Sequence, residues 1–590
     1  MLTYYLIIQK KEQNKKKRDI RVIIGNPPYS AGQDSAHDDA KNLTYPNLDE
    51  KIKKTYVKNS TATYRSDLYD SYIRSFRWAT DRLGDEGVIG FVTNAGWIEG
   101  NATDGFRKVL GEEFSKIYTF HLKGNARTAG ELRKKEAGNV FAHGSRSPIA
   151  ITFLVKKKDA NQNKKTEIFF YNIEDYLKTE EKLKIIKNLN NIYEIENRKK
   201  FKKILPDENN DWINKSNPDF KKYYPLGSKQ KDKNIYFKKY SLGIGTNKDS
   251  WIYNYSSNSL FGNIKSFIDF YNKELKKFDS TNKKEITQDK TKIVWTRKIL
   301  QSIKNKKKLV FDKNKLITSN YRPFIDKFAY FDESIIENTY QIPSIFPNKD
   351  VANYLIAITG IGAKNGFNVL ALNKLPDLNL LEGGAQCFPM YIYTEQNLNE
   401  GLFANNAKDN NEFKKENAIT DFIKSKFDEK YKKNIKKNDI FYYTFGILNS
   451  SVFIEKFENN LSKELPRIPI TEKFKNFELI KEIGRNLFKI QISDSENHIY
   501  EFENEEEIKS KFEKINQISS YKIKKDTKNK KFSITINNTI KIDNIEIECL
   551  SFENKGKSII ENFLSFAKLS INKDNKIIDN IVDFHGPLYV

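Results

Sequence analysis

Cysteine is almost missing from this chain: two in 590 residues, Cys387 and Cys549. They stand far apart, with no Cys or His neighbour at ligand spacing, which excludes a disulfide framework and a thiolate zinc site and leaves no metal centre to expect. Long apolar runs are missing too. The stretch "VANYLIAITGIGA" falls short of the ~18 residues that a membrane span needs, and no charged-apolar-small signal opens the chain. The expectation is a soluble, cytoplasmic protein with no membrane partner. Acids are the third shortage, 77 Asp and Glu against 102 Lys and Arg, a net charge of +25. Codon bias that enriches Lys would not leave the acids so far behind, so the balance points to a polyanionic partner, nucleic acid first. Finally, no convincing Ser-His-Asp or Cys-His set stands out, so covalent catalysis has no candidate nucleophile.

What is present begins after a basic lead-in, residues 1–18. "DIRVIIG" has the β-branched content of a buried strand, stopped by the Gly and two Pro that follow. "SDLYDSYIRSFRWATDRL" sets Leu68, Tyr72, Phe76, Ala79 and Leu83 at helical spacing, with Gly84 as its stop. "GVIGFVTN" reads as a second strand, and "TDGFRKVLGEEF" as a helix capped by Thr103 or Asp104. "KIYTFHL" and "SPIAITFLV" add two strands. Alternation of this kind implies an α/β layered sheet as far as about Val155. "KKKDANQNKK" then reads as a linker. Beyond it, aromatic-rich stretches alternate with Lys/Glu/Asn helices expected over 180–204 and 417–438, and "KFSITINNTIKI" reads as a hairpin across Asn537-Asn538. The domain expectation is 19–158 for the sheet, 170–475 for a large mixed α+β domain, and 476–590 for a charged C-terminal extension without an assigned role.

The chemistry concentrates in Asn26-Pro27-Pro28-Tyr29. With only 15 prolines in the chain, a Pro-Pro between Asn and Tyr points to more than a strand-ending turn. An exocyclic amine on a nucleobase is a poor nucleophile because its lone pair is delocalised into the ring. Two acceptors that take both N–H hydrogens, an Asn side-chain carbonyl and a backbone carbonyl, localise that lone pair and aim it at an electrophile. Proline suits the second acceptor because it fixes φ and carries no competing N–H. A Tyr beside them offers a face on which an extruded base stacks.

On these residues the chain resembles the gamma-group N6-adenine DNA methyltransferases, and more closely the catalytic and specificity end of the type ISP restriction-modification enzymes. The resemblance implies that Asn26 and Pro27 contact the amino group of a flipped adenine, that Pro28 completes the rigid turn, and that Tyr29 stacks on the base. The "DLYDSYIRSF" segment is similar to the family motif that lies against the cofactor adenosine, which gives the S-adenosylmethionine contacts to Tyr72 and, in the same segment, Asp67. "GNVFAHGSRSPIAITFLVK" resembles the last catalytic motif and points to Phe141 on the other side of the base. "NYRPFIDKFAYFD", "QCFPMYIY" and "IFYYTFGILNSS…LSKELPRIPI" look like fixed points of the specificity domain, with Asn449 where relatives usually carry His. After about 480 no likeness is visible.

In that family the main S-adenosylmethionine-binding strand and its Gly-rich turn precede the tetrapeptide, and the residues before Asn26 are too few to hold them. The expectation is therefore an incomplete Rossmann-like methyltransferase sheet, the catalytic half, followed by the specificity domain. It would be truncated or split from a companion chain carrying the cofactor half, helicase and nuclease, and would act on double-stranded DNA with a flipped adenine. "ENKGKS" has Ser551 where a phosphate loop needs its first Gly, and no nuclease cluster emerges. A permuted cofactor site at "LIAITGIGAKNGF" is a weaker alternative, and "SLGIGTNKD" is expected near DNA phosphate. Two other readings stay open: a catalytically inactive DNA-binding specificity subunit, and a methyltransferase of similar tetrapeptide acting on RNA or protein.

Overall fold

The computed structural model describes residues 19–28, 45–62, 65–128, 130–141, 145–158, 165–189, 191, 200–229, 232–278, 286–363, 365–395, 413–493, 505–554 and 556–583. It divides into two compact units, Met1–Ser216 and Asn217–Val590.

The first unit is built on one six-stranded sheet. Strand β1 (Ile20–Gly25) leads to helix α1 (Pro46–Ile52) and helix α2 (Ser71–Arg82). Asp70 caps α2, its Oδ1 accepting from the Tyr72 N–H at 3.4 Å. The expected apolar stripe is the buried one: Leu68, Phe76 and Ala79 are fully covered, and Tyr72 and Leu83 nearly so. The chain turns straight from α2 into β2 (Leu83–Asn94), so Gly84 lies inside a strand instead of ending the helix. Helix α3 (Asp104–Glu113) starts after Thr103, yet neither expected cap works in the usual way. The Thr103 hydroxyl donates to the carbonyls of Trp97 and Gly100, both at 2.8 Å, and Asp104 Oδ2 accepts from the Thr61 N–H and hydroxyl.

After β3 (Lys116–His121) comes helix α4 (Gly130–Glu136), then β4 (Ile149–Lys156), β5 (Glu167–Asn172), helix α5 (Thr179–Asn188) and β6 (Lys202–Ile204). The strand order is β1-β2-β4-β3-β5-β6. β1 runs parallel to β2 and β3 parallel to β5, while β4 is antiparallel to both neighbours. The exits of β1, β2, β3 and β5 and the entry of β4 therefore meet at one end of the sheet. One face carries Ile89, Phe91, Ile117 and Leu154 against Phe76, Phe106, Trp97 and Trp212; the other carries Phe120, Ile149 and Tyr171. β1 is an edge strand among the described residues, and Val22 and Ile24 on it are 61% and 82% exposed.

Two boundaries differ from the sequence expectation. β5 and β6 extend the first sheet beyond residue 158, so the sheet does not end at β4. The expected helix 180–204 is shortened to α5, with β6 at its far end. Toward the other terminus, Phe532, Ile534, Ile542 and Leu564 join one continuous core with Tyr253, Ile264 and Leu355, so the charged tail is packed into the second unit. The hairpin is as expected: strands Lys531–Ile536 and Ile540–Glu546 flank Asn537 and Asn538, whose φ of 52° and 60° suits the tight turn.

Among the described residues the second unit holds two four-stranded sheets, one three-stranded sheet, several strand pairs and two apolar cores. Strand Leu355–Ile358 is buried on both sides: Leu355 and Ala357 face one core, Ile356 and Ile358 the other. That is why "LIAI" is uninterrupted in apolar character. It pairs antiparallel with Val369–Leu372 and Gln386–Pro389, and a Cβ on Gly360 would sit 2.0 Å from the Gly383 carbonyl oxygen. Gly360 serves a close backbone approach, while Gly362 and Gly366 take φ of 85° and 89° with open space beside them; the run before them is a strand of an antiparallel sheet and not the parallel strand-turn-helix that a permuted cofactor site needs. In the "SLGIG" stretch a Cβ on Gly243 would lie 2.3 Å from the Asp377 carbonyl oxygen, and Ile244 and Gly245 bridge Asp377 and Asn338, so Gly243 also serves backbone packing. The expected helix 417–438 is replaced by strand Phe413–Asn417 and helix Asp421–Tyr431, ended by Lys432 at φ 52°.

Candidate active site at the sheet end

The tetrapeptide leaves the sheet at this common end. Gly25 pairs with Phe91, and a Cβ there would press on the Phe91 ring at 3.3 Å, so the chain before Asn26 runs tight against β2. Pro27 is buried, while Asn26 and Pro28 are exposed. Tyr29 lies outside the described residues.

The next strand brings Asn94, whose Oδ1 accepts from the Gly96 N–H at 2.9 Å, and Ala95, whose N–H donates to the Pro148 carbonyl at 2.8 Å. The exit of β2 is thereby tied to the entry of β4. Beneath it, Arg107 has its whole guanidinium in use. It donates to the carbonyls of Trp97, Gly100 and Asn210, to the Thr103 hydroxyl, and to Asp211 Oδ1 at 2.8 Å. Burial lowers its pKa against the pull of Asp211. The role is architectural: one cation gathers the turn after β2 onto the end of the unit.

Phe141, 39% exposed, stands in the loop between α4 and β4. Its N–H donates to Asn139 Oδ1 at 2.9 Å, and the Asn139 amide donates to the carbonyls of Gly124 and Ser147 at 3.0 and 2.8 Å. Nearby, Lys123 pairs with Asp175, and His121 Nδ1 lies 2.9 Å from Asn172 Oδ1. Burial pushes the His121 imidazole below its usual range. The topology thus brings Asn26, Pro27, Pro28 and Phe141 to one end of one sheet.

The two residues expected at the cofactor are placed differently from each other. Asp67 is exposed on the 3-10 turn Ser66–Tyr69. Tyr72 is 4% exposed within the helix-sheet core, and burial pushes its phenol well above its ordinary value. In this arrangement its ring is covered by the described residues, and an adenosine would need it uncovered. No group of three or more His, Cys, Asp or Glu among the described residues is arranged to hold a metal ion. No described helix is long and apolar enough to cross a membrane. Sequence reasoning missed Asn139, which lies in the quoted "GNVF" motif two residues before Phe141. It also missed Lys182, which carries no signal among the many lysines of α5.

The fold is that of a methyltransferase-like sheet domain followed by a specificity domain. The family model for the Type ISP C-terminal specificity domain matches residues 235–587, and that for the Eco57I restriction-modification methylase matches residues 5–125. The chain belongs to the Type ISP restriction-modification family. It is similar to a nuclease-deletion mutant of the Type ISP enzyme LlaGI solved with a DNA substrate mimic, at 32% identity and a TM-score of 0.80 over 98% of this chain and 43% of that one. The ATP-dependent Type ISP enzyme LlaBIII bound to DNA gives 29% and 0.81 over 98% of this chain and 36% of that one. The DrdV–DNA complex gives 30% and 0.76 over 99% and 55%. The chain therefore spans between about a third and a little over half of these relatives. A comparison with curated proteins gave no match. The specificity match starts at 235 and runs through 587, so it takes in the tail that the sequence left unassigned.

Proposed function

We propose that this chain is the catalytic and DNA-specificity portion of a restriction-modification enzyme that methylates adenine at N6 in double-stranded DNA. The observation that carries the reading is the exposed Asn26 beside the buried Pro27 at the exit of a parallel strand, in a chain 32% identical to a DNA-bound Type ISP enzyme. S-adenosylmethionine, when bound, supplies an electrophilic methyl group. The rest falls to this chain. The Asn26 side-chain carbonyl and the Pro27 carbonyl accept the two N–H bonds of the amine and draw its lone pair out of conjugation. Pro28 holds the turn, and Tyr29 and Phe141 flank the flipped base. Asp67 faces solvent where a cofactor hydroxyl would be accepted; Tyr72 joins the cofactor only if its ring is uncovered.

The +25 charge and the match to a specificity domain support DNA as the partner, with the second unit, 217–590, as the reader of sequence. The exposed Val22 and Ile24 of edge strand β1 offer a seat for a cofactor-binding half on a companion chain, together with helicase and nuclease. Such an enzyme would work in the cytoplasm. The test is to supply labelled S-adenosylmethionine and phage DNA to the chain, with and without a separately made cofactor half, and count label in adenine. Transfer that Asn26→Ala abolishes supports the reading. No transfer in any combination of folded parts sinks it. Salt-sensitive DNA retention unchanged by Asn26→Ala, without transfer, is the signature of the alternative, an inactive specificity subunit; label in RNA or protein instead of DNA would mark the other.

A further inference from the structure

We infer that Asn139 and Lys182 are positioning residues that set the loop carrying Phe141, and through it the geometry of the flipped base; this rests on the reading of Phe141 given above. Phe141 is held by no strand or helix. It stands in the loop between α4 and β4, so the direction of its ring depends on what fixes the backbone before and after it.

Asn139 supplies that fixation with every part of its amide. The two Nδ2 hydrogens reach the Gly124 carbonyl, just beyond β3, and the Ser147 carbonyl, just before β4. Oδ1 takes the Phe141 N–H itself. Strand exit, strand entry and the aromatic residue are thus tied to one side chain that is only 8% exposed. A carboxylate of the same shape would have no hydrogen for either carbonyl and would repel both. The backbone leaves no slack: Gly124 has φ 91°, and a Cβ on it would lie 2.9 Å from Asn139 Cα.

Lys182 secures the other side of the loop. Its side chain reaches from α5 and is fully buried, and Nζ donates to the carbonyls of Glu136 and Gly138 at 2.8 and 2.7 Å. These carbonyls belong to the last residue of α4 and to the residue before Asn139, so the ammonium closes the helix end where the loop begins. Thr179, the first residue of α5, adds a hydroxyl donated to the Asn139 carbonyl at 3.0 Å. Two separate residues of α5 therefore hold the three residues that lead to Phe141. A buried lysine spent on two carbonyls, with no carboxylate bonded to it among the described residues, is a costly way to brace an ordinary surface loop. Bracing an aromatic plate that must meet a base explains it.

The test uses the full chain and a duplex pool selected by retention on the wild-type protein, then remade with 2-aminopurine in place of adenine. Wild type is expected to change the 2-aminopurine emission on binding, and Phe141→Ala to give a distinctly different emission. Asn139→Asp and Lys182→Met should reproduce the Phe141→Ala emission, while DNA retention and hydrogen exchange in β3 and β4 stay at wild-type levels. Thr179→Val, a milder change should the other two fail to fold, should move emission part of the way. If Phe141→Ala behaves as wild type, the reading of Phe141 fails and the inference falls with it. If Phe141→Ala differs while the foldable variants among Asn139→Asp, Lys182→Met and Thr179→Val all match wild type, the inference alone is overturned.

Discussion

The two units bury charge for different ends. In the first, cations gather loops around the end of one sheet: Arg107 below the turn after β2, and Lys182 behind the loop of Phe141. In the second, ion pairs cluster on and around the one four-stranded sheet that holds strands Leu316–Arg322 and Ile325–Tyr330. Arg322 bonds Asp377 at 2.6 Å and lies 3.6 Å from Asp249, with its guanidinium 3.8 Å above the Tyr321 ring. Tyr253 donates to Asp377 at 3.0 Å, Lys374 pairs with Asp326 at 2.6 Å, and Lys327 with Asp579. One large sheet builds its own core and can leave its end free for chemistry. A small sheet buries too little alone, and directional contacts among its strands and the segments beside them help to fix its arrangement.

The sharpest test of this contrast is Arg322→Ala, which strands Asp377 in the core without its cation. It should cost about 3–5 kcal/mol in denaturant unfolding of the second unit, and leave the transition of the first unchanged. Asn26→Ala should do the opposite, abolishing methyl transfer while moving stability by less than about 0.5 kcal/mol, as surface substitutions do.

Next in size is an alkaline effect present in both units. Lys182 and Lys248 are each pushed down to about 8 by burial. Lys248 donates to the Ile335 and Thr246 carbonyls and to the Thr296 hydroxyl. A lysine whose folded pKa lies below its unfolded one binds protons less tightly in the fold. Its ammonium therefore costs stability below pH 8, and that cost disappears as pH rises from about 8 toward the ordinary 10.5. The gain should reach about 3 kcal/mol for each group. Lys182→Met should remove the slope from the first unit and Lys248→Met from the second, read as difference curves against wild type.

Two glycines close the series. Helices Lys437–Leu448 and Phe474–Ile492 cross at Gly446 and Gly484, where a Cβ on Gly484 would lie 2.2 Å from the Tyr442 carbonyl oxygen. Gly484→Ala should destabilise the second unit by about 1–3 kcal/mol through overpacking. Gly262, inside helix Ser257–Lys277 with open space beside it, should behave oppositely, Gly262→Ala stabilising by about 0.5–1 kcal/mol on helix propensity. Thermal unfolding of the pair reads both signs.

Legibility followed the same division. The stripe Leu68, Tyr72, Phe76, Ala79 and Leu83 could be read because a helix half-buried on a sheet writes its period into the sequence. Strand β1 was legible as a strand from its β-branched run but not in its setting: it was expected to be buried, and as an edge strand it leaves Val22 and Ile24 exposed. Leu355–Ile358 misled because a strand covered on both faces has no alternation, and its nearby glycines imitate a nucleotide turn. The tail beyond 476 read as a charged extension separate from the large domain because its strands alternate apolar residues with polar and charged ones on the solvent side, which averages to a charged composition. Asn139 and Lys182 carry no mark of their own: one is an asparagine among many, the other one of the chain's numerous lysines.

By itself, then, the sequence determined what depends on neighbours along the chain: strand and helix periods, the rigid Asn-Pro-Pro turn, and a basic surface suited to a polyanion. Only the tertiary structure decided that Phe141 shares a sheet end with Asn26, and that Arg322 meets Asp249 and Asp377. Those meetings follow from β4 running antiparallel between β2 and β3, and from pairings in the second unit whose partners lie dozens of residues apart. Local propensity does not encode such distances; the closing of the chain on itself does.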